Sequence, residues 1–217
     1  MSTDPGKPFW RYSLTHLALY STVQLPQANV MNLFHRLMCS SNAWRETVET
    51  RVMPWVLQDL ELGADVLEVG PGPGLTTDLL HQRVSRLTCV EISPKLAKSL
   101  AKRMNGRNVT VICEDATAMS IPDASFDGAL SFTMLHHVPS RALQDRLLAE
   151  VARVLRPGGI FAGVDSVYRP SMRWMHLLDT MVLVEPASFP KRLENAGFVD
   201  VQVDVNPYAF RFRGRKA

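Results

Sequence analysis

The spacing of apolar residues differs between two parts of the chain. Between about residues 29 and 60, apolar positions recur every three to four residues, which predicts a helical segment that Pro54 kinks or breaks. Beyond residue 61, short continuous apolar runs alternate with helical stretches. The runs lie at 65–69, 87–91, 109–113, 128–132 and 160–164, and the helical stretches at about 74–83, 94–104, 116–120 and 140–155. Buried strands alternating with helices predict a parallel sheet covered on both faces.

The pattern changes after the fifth predicted strand. An apolar stretch at 171–184 is followed by a short helix at 188–196 and two strands at about 199–205 and 208–213. We therefore predict an α/β, Rossmann-like, doubly wound domain whose mostly parallel sheet ends in an antiparallel C-terminal hairpin strand. Residues 1–28 are assigned to an N-terminal extension and 29–217 to the domain. Within it, a helical cap at 29–60 precedes a core at 61–217 with a lid insertion at 168–187.

The composition favours one globular domain without a polyanionic partner. The 217 residues are 46% hydrophobic and 21% charged, and the net charge is +3. The basic residues Arg211, Arg213 and Arg215 alternate as on the solvated face of a strand, which disfavours nucleic acid as a partner.

The number of cysteines and the length of the apolar runs argue against disulfide-rich, metal-binding, secreted and membrane-spanning proteins. Cys39, Cys89 and Cys113 are odd in number and widely spaced, so we expect neither a disulfide framework nor a metal site. Cys89 and Cys113 lie in apolar runs and are expected to be buried free thiols. The polar first ten residues do not resemble a signal peptide, and no run is long enough to span a bilayer, so we expect a cytoplasmic protein.

The most informative segment is a strand that runs into glycines and then into a helix, Val66–Gly74. Glycine lets the backbone turn tightly and lets a ligand approach without meeting a Cβ atom. Such a loop lies at the carboxyl edge of a sheet, where open α/β folds bind ligands.

Two nucleotide-binding alternatives fit this loop poorly. A mononucleotide phosphate loop needs a lysine before Ser or Thr, and Thr76 and Thr77 have none. A dinucleotide loop needs glycine at its first, third and sixth positions, whereas the sixth position here is Leu75. The Glu68 carboxylate would also repel a pyrophosphate but would attract a cationic amino group. S-adenosylmethionine carries an ammonium and a sulfonium and has no phosphate.

Residues Glu68–Gly74 resemble motif I of the class I S-adenosylmethionine-dependent methyltransferases, and the resemblance extends over about residues 64–165. It is strongest to the small-molecule branch that includes the ubiquinone and menaquinone biosynthesis methyltransferases. The resemblance implies S-adenosyl-L-methionine as cofactor and a set of cofactor-binding residues. They are Glu68, Gly70, Gly72, Gly74, Glu91, Ile92, Asp115, Ala116 and Thr133.

Within that set, the resemblance implies that Glu91 holds the two ribose hydroxyls and that Asp115 contacts the adenine amino group. Each is also explicable as a solvated carboxylate at a strand end. Asp127 in the matching fourth-strand motif is expected to cap a strand. The sequence Asn206-Pro207-Tyr208 is expected to form the hairpin turn.

Methyl transfer is an in-line displacement that needs alignment, exclusion of water and, for a protonated acceptor, a base. His136 is the candidate base and His137 a weaker one. The resemblance also implies the other role, because a His-His pair at this position of related sequences commonly frames the cofactor pocket. Asp165 and Tyr168 are weaker candidates for acceptor contact, and Arg45 for the cofactor carboxylate. The cap and lid residues Phe34, Trp44, Trp55, Trp174, Met175 and Met181 either belong to the core or line an acceptor cavity.

The sequence thus predicts an enzyme that methylates a small, apolar or aromatic molecule. Three alternatives stay open: an NAD(P)-dependent oxidoreductase, an aminopropyl transferase that uses decarboxylated S-adenosylmethionine, and a non-catalytic S-adenosylmethionine-binding module. The acceptor, its reacting atom and the oligomeric state are left open by the sequence.

Overall fold

The computed structural model describes residues 41–170 and 180–217. The predicted extension, the first part of the cap and the centre of the predicted lid therefore lie outside the described residues. None of the helices within the described ranges is long and apolar enough to cross a bilayer.

A sheet of seven strands, in the order β3-β2-β1-β4-β5-β7-β6, forms the core. The strands are β1 Asp65–Val69, β2 Arg86–Val90, β3 Val109–Ile112, β4 Phe126–Phe132, β5 Leu155–Ser166, β6 Phe198–Val205 and β7 Ala209–Lys216. Strands β1 to β5 pair in parallel, and β7 is antiparallel to both β5 and β6. The predicted doubly wound sheet with its antiparallel C-terminal strand is confirmed.

The helices cover both faces of this sheet. They are α1 Asn42–Thr47, α2 Met53–Leu57, α3 Leu75–Leu80, α4 Pro94–Arg103, α5 Arg141–Val154 and α6 Phe189–Asn195. Side chains alternate along the strands, so Leu67 and Ala129 pack in one apolar cluster with α5 and α6, whereas Val66 and Leu130 pack in the other with the cap and α4.

The cap helix changes its winding at the predicted position. A π-helical turn, Val48–Val52, joins α1 to α2 directly before Pro54, and the Met53 N–H donates to the carbonyl of Val48, five residues back. Proline has no N–H for an i−4 carbonyl, so a widened turn before it keeps the helix continuous. The predicted irregularity at Pro54 is thus a π turn.

The predicted turn and capping residues lie where they were expected. Asn206 Oδ1 accepts the backbone N–H groups of Tyr208 and Ala209 between β6 and β7. Asp127 Oδ2 accepts the N–H groups of Ala64 (3.0 Å) and Asp65 (2.9 Å) at the entry to β1. The Asp65 and Asp127 carboxylates both pair with Arg156, so this network lies at the amino edge of the sheet.

Two local predictions are wrong. Residues 116–120 form turns rather than a helix, because the Asp115 side chain accepts the Thr117 N–H and the Asp115 carbonyl accepts the Ala118 N–H. Cys113 is exposed rather than buried because β3 ends one residue earlier, whereas Cys89 is a buried free thiol as predicted.

Candidate functional site

A cleft of about 190 Å³ opens at the carboxyl edge of the sheet. Its walls combine the glycine loop after β1, the segments after β2 and β3, the turn after β4, and one face of the cap. These segments meet because β1 lies between β2 and β4, with Val69 paired to both Val90 and Ser131. The cleft therefore occupies the place where open α/β sheets bind ligands.

The glycine loop forms the floor of this cleft. Gly70, Gly72 and Gly74 have φ values of +64°, +55° and +82°, in the left-handed region that residues with a Cβ rarely adopt. Gly70 is also packed closely, since a Cβ atom built on it would lie 2.2 Å from Met134 Cγ. Glycine at position 70 is thus required both by the backbone conformation and by the neighbouring side chain.

Glu91 joins the glycine loop to the end of β2. Its Oε2 accepts the Gly72 N–H at 3.0 Å and its Oε1 accepts the Ser93 N–H at 2.8 Å. The residue is buried and lines the cleft, and burial raises the pKa of its carboxyl group. Each carboxylate oxygen has two lone pairs, so Glu91 retains acceptor capacity for two ligand hydroxyl groups.

The neighbouring predicted residues lie along the same wall. Ile92, Asp115, Ala116 and Thr133 all line the cleft. Asp115 Oδ1 accepts the Thr117 N–H at 2.8 Å, which orients the carboxylate. Thr133 directly follows the end of β4 and has φ +49°, an unusual conformation for a β-branched residue. Backbone strain of this kind clusters at ligand sites.

Two of the predicted cofactor residues, Glu68 and Gly74, do not line the cleft and instead pack on the side of the glycine loop that faces the protein interior. Glu68 is buried beneath the loop, where its carboxylate accepts hydrogen bonds from the hydroxyls of Thr76 and Thr77. Burial raises the pKa of Glu68. Gly74 faces Leu100 and the guanidinium of Arg103. The structure therefore places Glu68 away from the position in which it would meet an ammonium group directly.

His136, the predicted base, is buried and does not line the cleft. Its ring Nδ1 lies 2.5 Å from Asp165 Oδ1, and its backbone N–H donates to Asp165 Oδ2 at 3.1 Å. His137 lines the cleft instead, and the two imidazole centroids are 4.2 Å apart. In the 3₁₀ turn Leu135–His137, successive side chains point about 120° apart, so only one histidine of the pair faces the ligand.

Apolar side chains form the remaining walls, and the sequence identified one of them. Trp44 of the cap lines the cleft as predicted. The others escaped notice because they come from the π turn, the turn after β4 and the first turns of α5, where helical spacing looks the same for core and cleft. Among these residues are Val48, Val52, Met134, Val138, Pro139, Leu143 and Leu147.

The other predicted acceptor and cofactor contacts do not line the cleft. Trp55 packs beneath Arg211, Tyr168 is 52% exposed, and Asp165 is held by His136. Arg45 pairs with Asp78 of α3 at 3.1 Å, which fastens the cap to the core. Met181 also lies off the lining. Phe34, Trp174 and Met175 lie outside the described residues.

The charged groups that line the cleft are mostly acidic and lie on one side of it. Among the described residues that line the cleft, the ionisable groups are Glu91, Glu114, Asp115 and His137, with neither lysine nor arginine. Glu114 is bound to Ser120, through both the N–H and the hydroxyl of the serine. The three carboxylates follow β2 and β3, so the opposite side, beneath the cap, is apolar.

Residues 67–163 match the family model described as a methyltransferase domain. A 2-methyl-6-phytyl-1,4-hydroquinone methyltransferase of Synechocystis sp. is 33% identical over 165 residues, 68% of this chain and 50% of the relative. An S-adenosyl-L-methionine-dependent Diels-Alderase of Talaromyces variabilis is 28% identical over 177 residues, 71% of this chain and 59% of the relative. The chain thus spans about half the length of these curated relatives.

A solved S-adenosylmethionine-dependent methyltransferase of Aquifex aeolicus has the same fold. It superposes with a TM-score of 0.63 at 20% identity, over 79% of this chain and 93% of the other. The family match runs from within β1 to within β5. Residues 67–163 thus belong to the methyltransferase domain family, and the described chain has the fold of this solved S-adenosylmethionine-dependent methyltransferase.

Proposed function

We propose that the cleft binds S-adenosyl-L-methionine and that the chain transfers its methyl group to a small, neutral, apolar or aromatic molecule. The observation that carries this proposal is the meeting of Glu91 and the glycine loop with an apolar wall in one cleft. The hydroquinone named for the Synechocystis relative has the same apolar character.

The residues present fit the cofactor. Glu91 would accept the ribose hydroxyls, Asp115 would accept from the adenine amino group, and Ile92 and Ala116 would contact the adenine ring. The open glycine loop would admit the amino-acid part. When bound, this cofactor supplies an electrophilic methyl group on a cationic sulfur. The protein's part is to align the acceptor with that group and to exclude water.

The geometry also changes the assignment of the proposed base. His136 is engaged by Asp165 and holds the turn, so we propose His137 as the imidazole that meets the acceptor. Anionic acceptors are disfavoured, because the described lining carries carboxylates and no lysine or arginine to offset a further negative charge.

Isothermal titration with S-adenosylmethionine, S-adenosylhomocysteine and NADH tests the cofactor. The two sulfur compounds should bind and NADH should not. Glu91→Ala removes two charge-assisted hydrogen bonds, each worth about 1.5–3 kcal/mol. It should therefore weaken Kd by roughly a hundredfold or more. Glu61→Ala, an exposed glutamate outside the cleft, is the control. Binding of NADH alone would overturn the proposal.

Transfer of a labelled methyl group tests the reaction. A pair of probes with the same phenol, 4-methylphenol and 4-hydroxybenzoate, separates ring chemistry from charge. We expect transfer to 4-methylphenol and little to the carboxylate. Cofactor binding without transfer to either probe would contradict the catalytic part and favour a use of the cofactor without methyl transfer, as the name of the Talaromyces relative suggests for that protein.

A further inference from the structure

One side of the cleft is completed by the part of the predicted lid that returns to the core. We call residues 180–184 the strap. Thr180 at its start lines the cleft, and Val184 at its end is buried in the core with α5 and α6. The strap therefore links the mouth of the cleft to the interior of the protein.

Val182, in the middle of the strap, is held through both of its backbone groups. Its N–H donates to the His136 carbonyl at 2.7 Å, and its carbonyl accepts a hydrogen bond from Gln144 Nε2 at 2.7 Å. The same Nε2 donates to the Leu135 carbonyl at 3.1 Å. One carboxamide thus joins the strap to the Leu135–His137 turn.

Gln144 is a fully used hydrogen-bonding group in a buried position. It is 1% exposed on α5, and its Oε1 accepts from Arg192 Nη2 at 2.9 Å. Arg192 is held in turn by Asp145, with Nε 2.5 Å from Oδ1. Both N–H groups and the oxygen of the amide are engaged, which makes the position specific for glutamine.

We propose that Gln144 is a positioning residue for the acceptor. By fastening the strap to the turn that carries His137, it fixes the distance between two walls of the cleft, His137 and Thr180, without touching the acceptor itself. The glycine loop, Glu91 and Asp115 lie outside this arrangement. The inference rests on the proposed function only in taking the side of the cleft opposite the three carboxylates as the acceptor side.

The test uses Gln144→Met, which keeps the length and approximate volume of the side chain but removes both donors and the oxygen that accepts from Arg192. Gln82→Met is the matched control, since Gln82 is an exposed glutamine in the turn after α3 whose side chain donates to the Asp78 carbonyl. Arg192→Gln is a second variant. It removes the hydrogen bond from Arg192 to Gln144 Oε1 but leaves both donors of the Gln144 carboxamide in place.

Hydrogen exchange of the full chain gives a readout independent of activity. In Gln144→Met we expect the Val182 amide to exchange at least tenfold faster, with the β1 amides changed much less. The Kd for S-adenosylhomocysteine should stay within twofold of wild type, and KM for 4-methylphenol should rise several-fold. Arg192→Gln should show the same pattern more weakly, and Gln82→Met should resemble wild type.

Two results would overturn the proposal. One is a Val182 amide as protected in Gln144→Met as in wild type. The other is acceleration of all amides together with weaker S-adenosylhomocysteine binding, which would mean that Gln144 only stabilises the fold. Failure of the wild type to bind S-adenosylhomocysteine would count against the proposed function while leaving the exchange comparison valid.

Discussion

Substitution of Gly70 by alanine tests whether close packing at the glycine loop shapes the cofactor site. Gly70 has φ +64°, and a new Cβ would lie 2.2 Å from Cγ and 3.1 Å from Sδ of Met134. Gly158, in the irregular first part of β5, has φ +79°, but a Cβ added there would meet no heavy atom within 4 Å. The two alanine variants share the backbone penalty, and only one adds a collision.

The expected magnitudes follow from this difference. A left-handed alanine costs about 1–2 kcal/mol, which is the expected loss of stability for Gly158→Ala. Overpacking adds about 1–3 kcal/mol, so Gly70→Ala should lose about 2–5 kcal/mol in total. Met134 lines the cleft, so its displacement should also weaken S-adenosylhomocysteine binding about tenfold, or roughly 1.4 kcal/mol.

Urea unfolding and isothermal titration measure the two effects, and a double-mutant cycle isolates their cause. In a Met134→Ala background the collision is absent, so Gly70→Ala should cost only what Gly158→Ala costs in wild type. Equal costs for Gly70→Ala with and without Met134 would refute the packing argument. Normal ligand affinity in a folded Gly70→Ala protein would refute the link between this contact and the cleft.

Two further predictions concern carboxylates that do not line the cleft. Burial raises the pKa of Glu68 above its ordinary value of 4.5, so the folded state holds its proton more tightly than the unfolded state. The stability that this provides is complete below 4.5 and is lost as pH rises through the raised pKa. Glu68→Gln should therefore flatten the pH dependence of the free energy of unfolding, and an unchanged slope in urea titrations would contradict the assignment. Asp127→Ala leaves the N–H groups of Ala64 and Asp65 without their acceptor and should cost about 1–3 kcal/mol in urea unfolding. Because Asp127 lies at the opposite edge of the sheet, titration should give a normal Kd for S-adenosylhomocysteine, and a weakened Kd would show that the two edges are coupled.

The central strands of the sheet, β1, β4 and β5, were predictable because they are largely buried on both faces. A run such as Val66-Leu67-Glu68-Val69 carries its signal in four consecutive positions, and the predicted and observed bounds of β1 agree. The weaker elements depend on local competition. At 116–120, the Asp115 side chain offers the backbone a turn, and a sequence window of five residues has too few positions to weigh that turn against a helix.

The site was predictable where a residue type is tied to a strand end, and not where orientation decides. Glu91 and Asp115 follow β2 and β3, so topology alone brings them to the cleft. Glu68 precedes the loop on a buried strand, and its partners Thr76 and Thr77 come from the next helix. His136 and His137 are chemically identical neighbours, so only the geometry of their turn assigns one to Asp165 and the other to the cleft.

Two separate sets of hydrogen bonds hold the two sides of the cleft at the carboxyl edge of the sheet. On one side, Glu91 accepts a hydrogen bond from the Gly72 N–H, so the proposed cofactor side is held by contacts between the segments that follow β1 and β2. On the other side, Gln144 ties the strap to the turn after β4. The two sets of hydrogen bonds share no residue. The proposed acceptor side and the proposed cofactor side are thus fastened by separate hydrogen bonds, and the packing of Met134 against Gly70 is a contact that joins them.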